Sequence, residues 1–80
     1  MTHYFFHLDE CGSVTEDLEG HDLVDLAAAR TVAITAARDV MGGELARGAI
    51  CLSCFIDIAD AAGQTLMRVP FADAVRITGL

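Results

Sequence analysis

From Asp25 to Gly48 the chain reads DLAAARTVAITAARDVMGGELARG, and this stretch restricts the possible folds more than any other. Leu26, Ala29, Ala33, Ala36, Ala37, Val40 and Met41 recur at the three- and four-residue spacing of one helix face, while Thr31, Thr35, Arg38, Asp39 and Gly42 trace the opposite side. Asp25 stands where an N-cap is wanted, so the spacing predicts a helix from Leu26 to about Leu45. Gly42-Gly43 should weaken or bend its last turn, at about 1 kcal/mol per glycine relative to alanine, and Gly48 should stop it. A buried face built largely of alanine has little volume of its own. It must lie close against a broad apolar surface, and a sheet supplies one.

The flanking segments have the two-residue period of strands. In His3 to Leu8, alternation puts Tyr4, Phe6 and Leu8 on one face and His3, Phe5 and His7 on the other. Asp9-Glu10-Cys11-Gly12 reads as a hairpin turn into a short edge-like strand, Ser13 to Asp17, and Glu16 to Asp25 as an acidic connection. After the helix, Cys54 to Ala59 alternates Cys54, Ile56 and Ile58 against Phe55, Asp57 and Ala59. Asp60-Ala61-Ala62-Gly63 then turns the chain into Thr65 to Val69. Pro70 has no amide hydrogen to donate and ends the pairing, leaving Phe71 to Val75 as a helical turn packed back on the core. The expected fold is α+β, in the order β-β-α-β-β: a single domain over residues 1–80 with one helix on one face of a small, mostly antiparallel sheet of about four strands.

Hydrophobic residues make up 54% of the 80 residues, at the upper end for a soluble domain, so some apolar surface should remain after one small core is filled. No apolar run reaches the roughly 20 residues of a membrane span, since Leu23 to Ile34 is interrupted by Asp25, Arg30 and Thr31. Met1 to Leu8 lacks the basic and long apolar regions of a secretory signal, so a cytoplasmic protein is expected. Cys11, Cys51 and Cys54 are an odd set in a short chain, which argues for reduced thiols rather than a disulfide framework. The net charge is −7, lysine is missing and the fixed cations are five arginines. Phosphate neutralisation needs a basic patch, so direct nucleic-acid binding is not expected.

Tyr4-Phe5-Phe6-His7, the acidic loop to Gly20, Asp25-Leu26-Ala27-Ala28-Ala29-Arg30 and the closing Val69-Pro70-Phe71-Ala72-Asp73-Ala74-Val75 together resemble a group of small bacterial proteins catalogued only as a domain of unknown function. The resemblance spans nearly the whole length and implies no activity, cofactor or catalytic residue. In element order, the chain is also similar to the partial ribonuclease-H-like domain of antitoxins that pair with small toxins, whose expected signature, a separate DNA-binding tail, is not among these 80 residues.

His3, His7, Cys51 and Cys54 have the composition of a Cys₂His₂ zinc site. Four residues along one strand separate the two histidines by about 13 Å, too far for one ion with bonds of about 2 Å. Cys51-x-x-Cys54 leads into a strand rather than a helix N-terminus, so no thiol-activating dipole is expected there. His7 beside Asp9 has no nucleophile to serve, because the only serines are Ser13 and Ser53 in no evident grouping. Asp9, Glu10, Glu16, Asp17, Glu19, Asp22 and Asp25 do not follow the spacing of a calcium loop, and Gly42-Gly43 lies inside a helix rather than in a phosphate-cradling loop. Neither an enzyme, nor a cofactor, nor a metal site is expected.

One helix covers one side of a sheet. Residues such as Phe5 and Phe55, with Leu66 or Met67 as further candidates, must therefore face solvent, a tail or another molecule. The expected function is a non-enzymatic protein-interaction module, a homodimer through the open sheet face or edge. Its interaction residues would be Phe5, His7 and Phe55, with the remaining acidic surface, Glu16, Asp17 and Glu19, meeting a partner. The alternative is an acidic inhibitor or antitoxin-like protein that occupies the basic site of a nucleic-acid-handling protein.

Overall fold

A computed structural model describes all 80 residues. The helix, α1, spans Leu26–Ala46, and Asp25 caps it as the sequence predicts, its carboxylate accepting the Ala28 N–H at 2.8 Å. Gly42 and Gly43 do not interrupt it. It ends where Arg47 and Ala49 donate backbone bonds to the Glu44 carbonyl and Gly48 takes φ +82°, the left-handed turn in which glycine replaces a strained side chain. Ala29, Ala33, Ala37 and Met41 are buried, and Leu26, Ala36 and Val40 pack at the margin, as the spacing predicts.

Before the helix lie β1 (Thr2–Glu10), β2 (Ser13–Thr15) and β3 (His21–Leu23). After it come β4 (Phe55–Ala59), β5 (Thr65–Pro70) and a 3₁₀ turn, Phe71–Asp73. All pairings are antiparallel. β1 is central: β4 pairs along one side of it, and β2 and β3 share the other side, β3 against Thr2 to Tyr4 and β2 against Leu8 to Glu10. The fold is the expected α+β arrangement, with β3 added inside the acidic connection. β5 is a free edge.

The helix-facing side of the sheet carries Tyr4, Ile56, Ile58 and Val69, all buried, with Phe6, Leu8 and Met67 half-buried against them. Phe71 is fully buried under the helix, held by its N–H on the Cys54 carbonyl at 2.9 Å, so the chain after Pro70 closes the core as expected. No polar side chain is buried in this layer, and each buried aliphatic side chain contributes about 1.5–3 kcal/mol. The pairing shifts between Ile58 and Ala59, leaving Leu66 as the extra residue of β5. Of the two candidates for the open face, Leu66 turns outward, 41% exposed, and Met67 packs inward. Ala59, expected on the outer face, is buried opposite Phe5.

Candidate functional site

The face away from the helix presents a column of rings along β1. His3 and Phe5 meet edge-on with centroids 4.9 Å apart, and Phe5 and His7 are nearly parallel at 6.4 Å. Register places Asp57 beside His7 and Arg68 beside Asp57. Arg68 makes a two-pronged contact with Asp57 at 2.9 and 3.1 Å and lays its guanidinium 3.7 Å above the Phe55 ring. The hydrogen bond to Asp57 raises the Arg68 pKa. Phe5, His7 and Phe55 do share the open face. They are half-buried, and Phe55 wears a cationic cover.

The connection from Glu16 to Gly20 folds over one edge of this face. Asp17 organises it: its carboxylate accepts the N–H groups of Phe6 at 3.0 Å, Gly20 at 3.1 Å and Glu19 at 3.2 Å, while its own N–H donates to His7 Nδ1 at 3.0 Å. Partial burial opposes ionisation of Asp17, but the three backbone donors outweigh it and its pKa is lowered. Accepting a bond at Nδ1 leaves the proton of a neutral His7 ring on Nε2. His3 spans the same connection from its other side, with Nδ1 2.6 Å from the Asp22 carboxylate and Nε2 2.7 Å from the Glu19 carbonyl. Two acceptors favour the doubly protonated ring; the Asp22 bond, then the Glu19 bond, raise its pKa. The cluster of metal-ligating side chains that the structure brings together is Cys11, Cys51 and Cys54, without either histidine.

Gly20 is essential to this knot. At φ +70°, a β-carbon there would lie 2.6 Å from the Tyr4 carbonyl oxygen and 2.7 Å from His3 Nε2. With Asp17 turned inward, Glu16 and Glu19 are left exposed, and so is Leu18. Phe5, His7, Glu16, Asp17, Leu18 and Asp60 line an open hollow of about 200 Å³ on the outer face. Of the six residues expected to form an interaction surface, four meet in it. Phe55 lies further along the sheet, and Glu19 outside the hollow.

A second cluster lies near the β1–β2 turn. The Cys51 sulfur is 2.7 Å from that of Cys54 and 3.1 Å from that of Cys11, with 3.9 Å between Cys11 and Cys54. All three are free, and they run from exposed (Cys11) through half-buried (Cys51) to buried (Cys54). Hydrogen bonds from Cys54, Ser53 and Cys11 lower the Cys51 thiol to about 6. Burial, then the bond to Cys51, pushes Cys54 up to about 12, and the bond to Cys51 also raises Cys11. Cys11 is the partner that local patterning does not join to the other two, because the β1–β4 register brings it there: Asp9 lies opposite Phe55, so the turn that follows Asp9 reaches Cys54.

Among known families, a model described as a domain of unknown function, DUF6894, matches residues 3–72. No curated protein and no solved structure matches the chain. No helix is long and apolar enough to cross a membrane.

Proposed function

Because the chain belongs to the DUF6894 family, whose description assigns no activity, we propose from its geometry that it is a non-enzymatic protein-interaction module that pairs with a second copy of itself. The supporting observation is the outer sheet face, where the half-buried rings of Phe5 and His7 floor a hollow beside the exposed Leu18, with no helix above them. The free edge of β5, with Leu66 turned outward, extends this surface. Two copies meeting face to face would bury Phe5, Leu18 and Leu66, and Asp57 and Arg68 offer both charges for cross-contacts. A specific dimer should bury on the order of 1,200–2,000 Å² in total. The free thiols are in keeping with a reducing, cytoplasmic setting.

Sedimentation of the purified protein across a concentration series tests the reading. The expected result is a dimer at micromolar concentration that Phe5→Asp converts to a monomer while the circular dichroism of the fold is retained. A wild-type chain that stays monomeric at several hundred micromolar overturns it.

The exposed carboxylates of Glu16 and Glu19, held outward because Asp17 faces the backbone, favour a second reading: an acidic inhibitor docking on the basic site of a nucleic-acid-handling protein. Such binding would weaken steeply with salt, since surface charges are screened within about 8–10 Å at 0.1–0.15 M ionic strength. Glu16→Gln with Glu19→Gln should then abolish capture of the basic partner.

A further inference from the structure

The turn between β1 and β2 consists of two residues, Cys11 and Gly12, with φ of +55° and +87°. Both central residues of such a hairpin turn are left-handed, which suits Asn-Gly or Gly-Gly. Cys11 is the only non-glycine residue in the chain with positive φ. The Asp9 carboxylate, accepting the Gly12 N–H at 2.9 Å, pins the turn. A backbone outlier held in this way points toward a use for its side chain, and the Cys11 sulfur is aimed at the other two.

Those two are independently fixed. Cys54 is buried, and its carbonyl holds the Phe71 N–H, so its position is part of the core. Cys51 lies three residues before it in the irregular connection that follows α1 and, with Leu52, packs against the core. Three sulfurs from two separate segments therefore converge within 4.8 Å. A disulfide would use two of them and leave the third without a role.

We propose that Cys11, Cys51 and Cys54 form a three-thiolate site for a thiophilic d¹⁰ metal ion of the Zn²⁺ class, with the fourth coordination position facing solvent. With metal–sulfur bonds of about 2.3 Å in tetrahedral geometry, the sulfurs would stand about 3.8 Å apart. The Cys11–Cys54 separation, 3.9 Å, already matches. The 2.7 and 3.1 Å separations both involve Cys51, so outward movement of that one half-buried side chain by about 1 Å opens the site. Solvent reaches the cluster from the Cys11 side, which leaves room for a water ligand. The bound ion would fasten the β1–β2 turn to the α1–β4 connection.

Thiols must lose their protons to ligate, so binding should release protons and weaken as pH falls.

Reduced, untagged protein, stripped of metal and kept anaerobic, is titrated with Cd²⁺, and then with Zn²⁺ against a coloured chelator. The expected result is one ion per chain, a sulfur-to-cadmium charge-transfer band of the intensity of three thiolates, and a higher Tm with Zn²⁺. Cys11→Gly is the decisive variant, because glycine relaxes the left-handed turn and the metal-free fold should be at least as stable as wild type. It should bind roughly 100-fold more weakly or worse, since removing even an outer partner of a metal ligand commonly costs 10–100-fold. Its cadmium band should fall to two thiolates.

Three results would overturn the proposal: equal affinity in Cys11→Gly, a wild-type band of two thiolates or fewer, or no binding while all three thiols remain reactive. Formation of a Cys51–Cys54 disulfide in air by a protein that binds neither ion when reduced would likewise overturn it and mark the cluster as a redox pair. The outcome is independent of whether the chain dimerises.

Discussion

The two sides of the sheet are held together by different physics. Beneath the helix, Ala29, Ala33 and Ala37 pack against Ile56, Ile58, Val69 and Phe71 with no buried polar side chain, so shape and volume determine stability there. Around the Glu16–Gly20 connection, almost nothing apolar is buried. Asp17, His3 and Gly20 fix the chain by directional bonds and by one position that excludes a β-carbon. Non-directional packing tolerates changes of pH and salt but not of volume. A polar knot should show the reverse sensitivity.

The largest expected effect lies on the packed side. Phe71→Ala removes a fully buried ring under the helix and should destabilise the chain by about 3–5 kcal/mol, read as a shift of the urea midpoint without a change of slope. A loss below about 1 kcal/mol would mean that the segment after Pro70 is not part of the cooperative core. On the knotted side, Gly20→Ala forces a β-carbon against the Tyr4 carbonyl and should cost on the order of 1–3 kcal/mol. Its signature should be local: faster amide exchange in the Glu16–Gly20 connection and β3, with slow exchange retained in β4 and α1.

The packed side was readable from the sequence because its signals are local. Asp25 as cap, Gly48 as stop, the three-and-four spacing of the alanines, and the alternation of Ile56 and Ile58 each depend on neighbours within a few residues, and each is found where it was expected. The knotted side was not. His21-Asp22-Leu23 is three residues long and becomes a strand only because Thr2 to Tyr4 lies beside it. Asp17 was placed in the acidic surface by charge, whereas three backbone N–H groups that no spacing rule specifies turn it inward. The thiol cluster was hidden for the same reason, since Cys11 meets Cys51 and Cys54 through strand register.

Titration sharpens the contrast further. The folded-state pKa of His3 is raised above its ordinary 6.5, so its contribution is fully present below that value and is lost as pH rises through the raised one. The folded-state pKa of Asp17 is lowered below 3.8, so its contribution is present above 3.8 and is lost as pH falls through the lowered value. Amide exchange at Gly20 should therefore be slowest between the two, quickening toward alkaline pH beyond the intrinsic base catalysis and again in strong acid. Amides of β4 beneath the helix should follow intrinsic exchange alone. His3→Gln should remove the alkaline limb and leave the acid limb; retention of both would assign the alkaline limb to another group.

The smallest expected change in stability comes from Arg68→Ala, because an ion pair whose arginine is open to solvent holds little net energy against water. Its Tm should be indistinguishable from that of wild type. The consequence for surface chemistry is larger, since Arg68 lies over the Phe55 ring, and removing it exposes more of that ring beside the unpaired Asp57 carboxylate. If the outer face is where two copies meet, two effects compete: a newly exposed ring that favours contact, and an uncompensated carboxylate that repels its symmetry mate. Salt separates them. Above about 0.5 M, where the screening length falls toward 3–4 Å, repulsion is suppressed and the variant should associate more tightly than wild type. At low salt it should associate more weakly. A variant whose self-association matches wild type at both salt concentrations would place the contact away from Phe55, toward the hollow floored by Phe5 and His7.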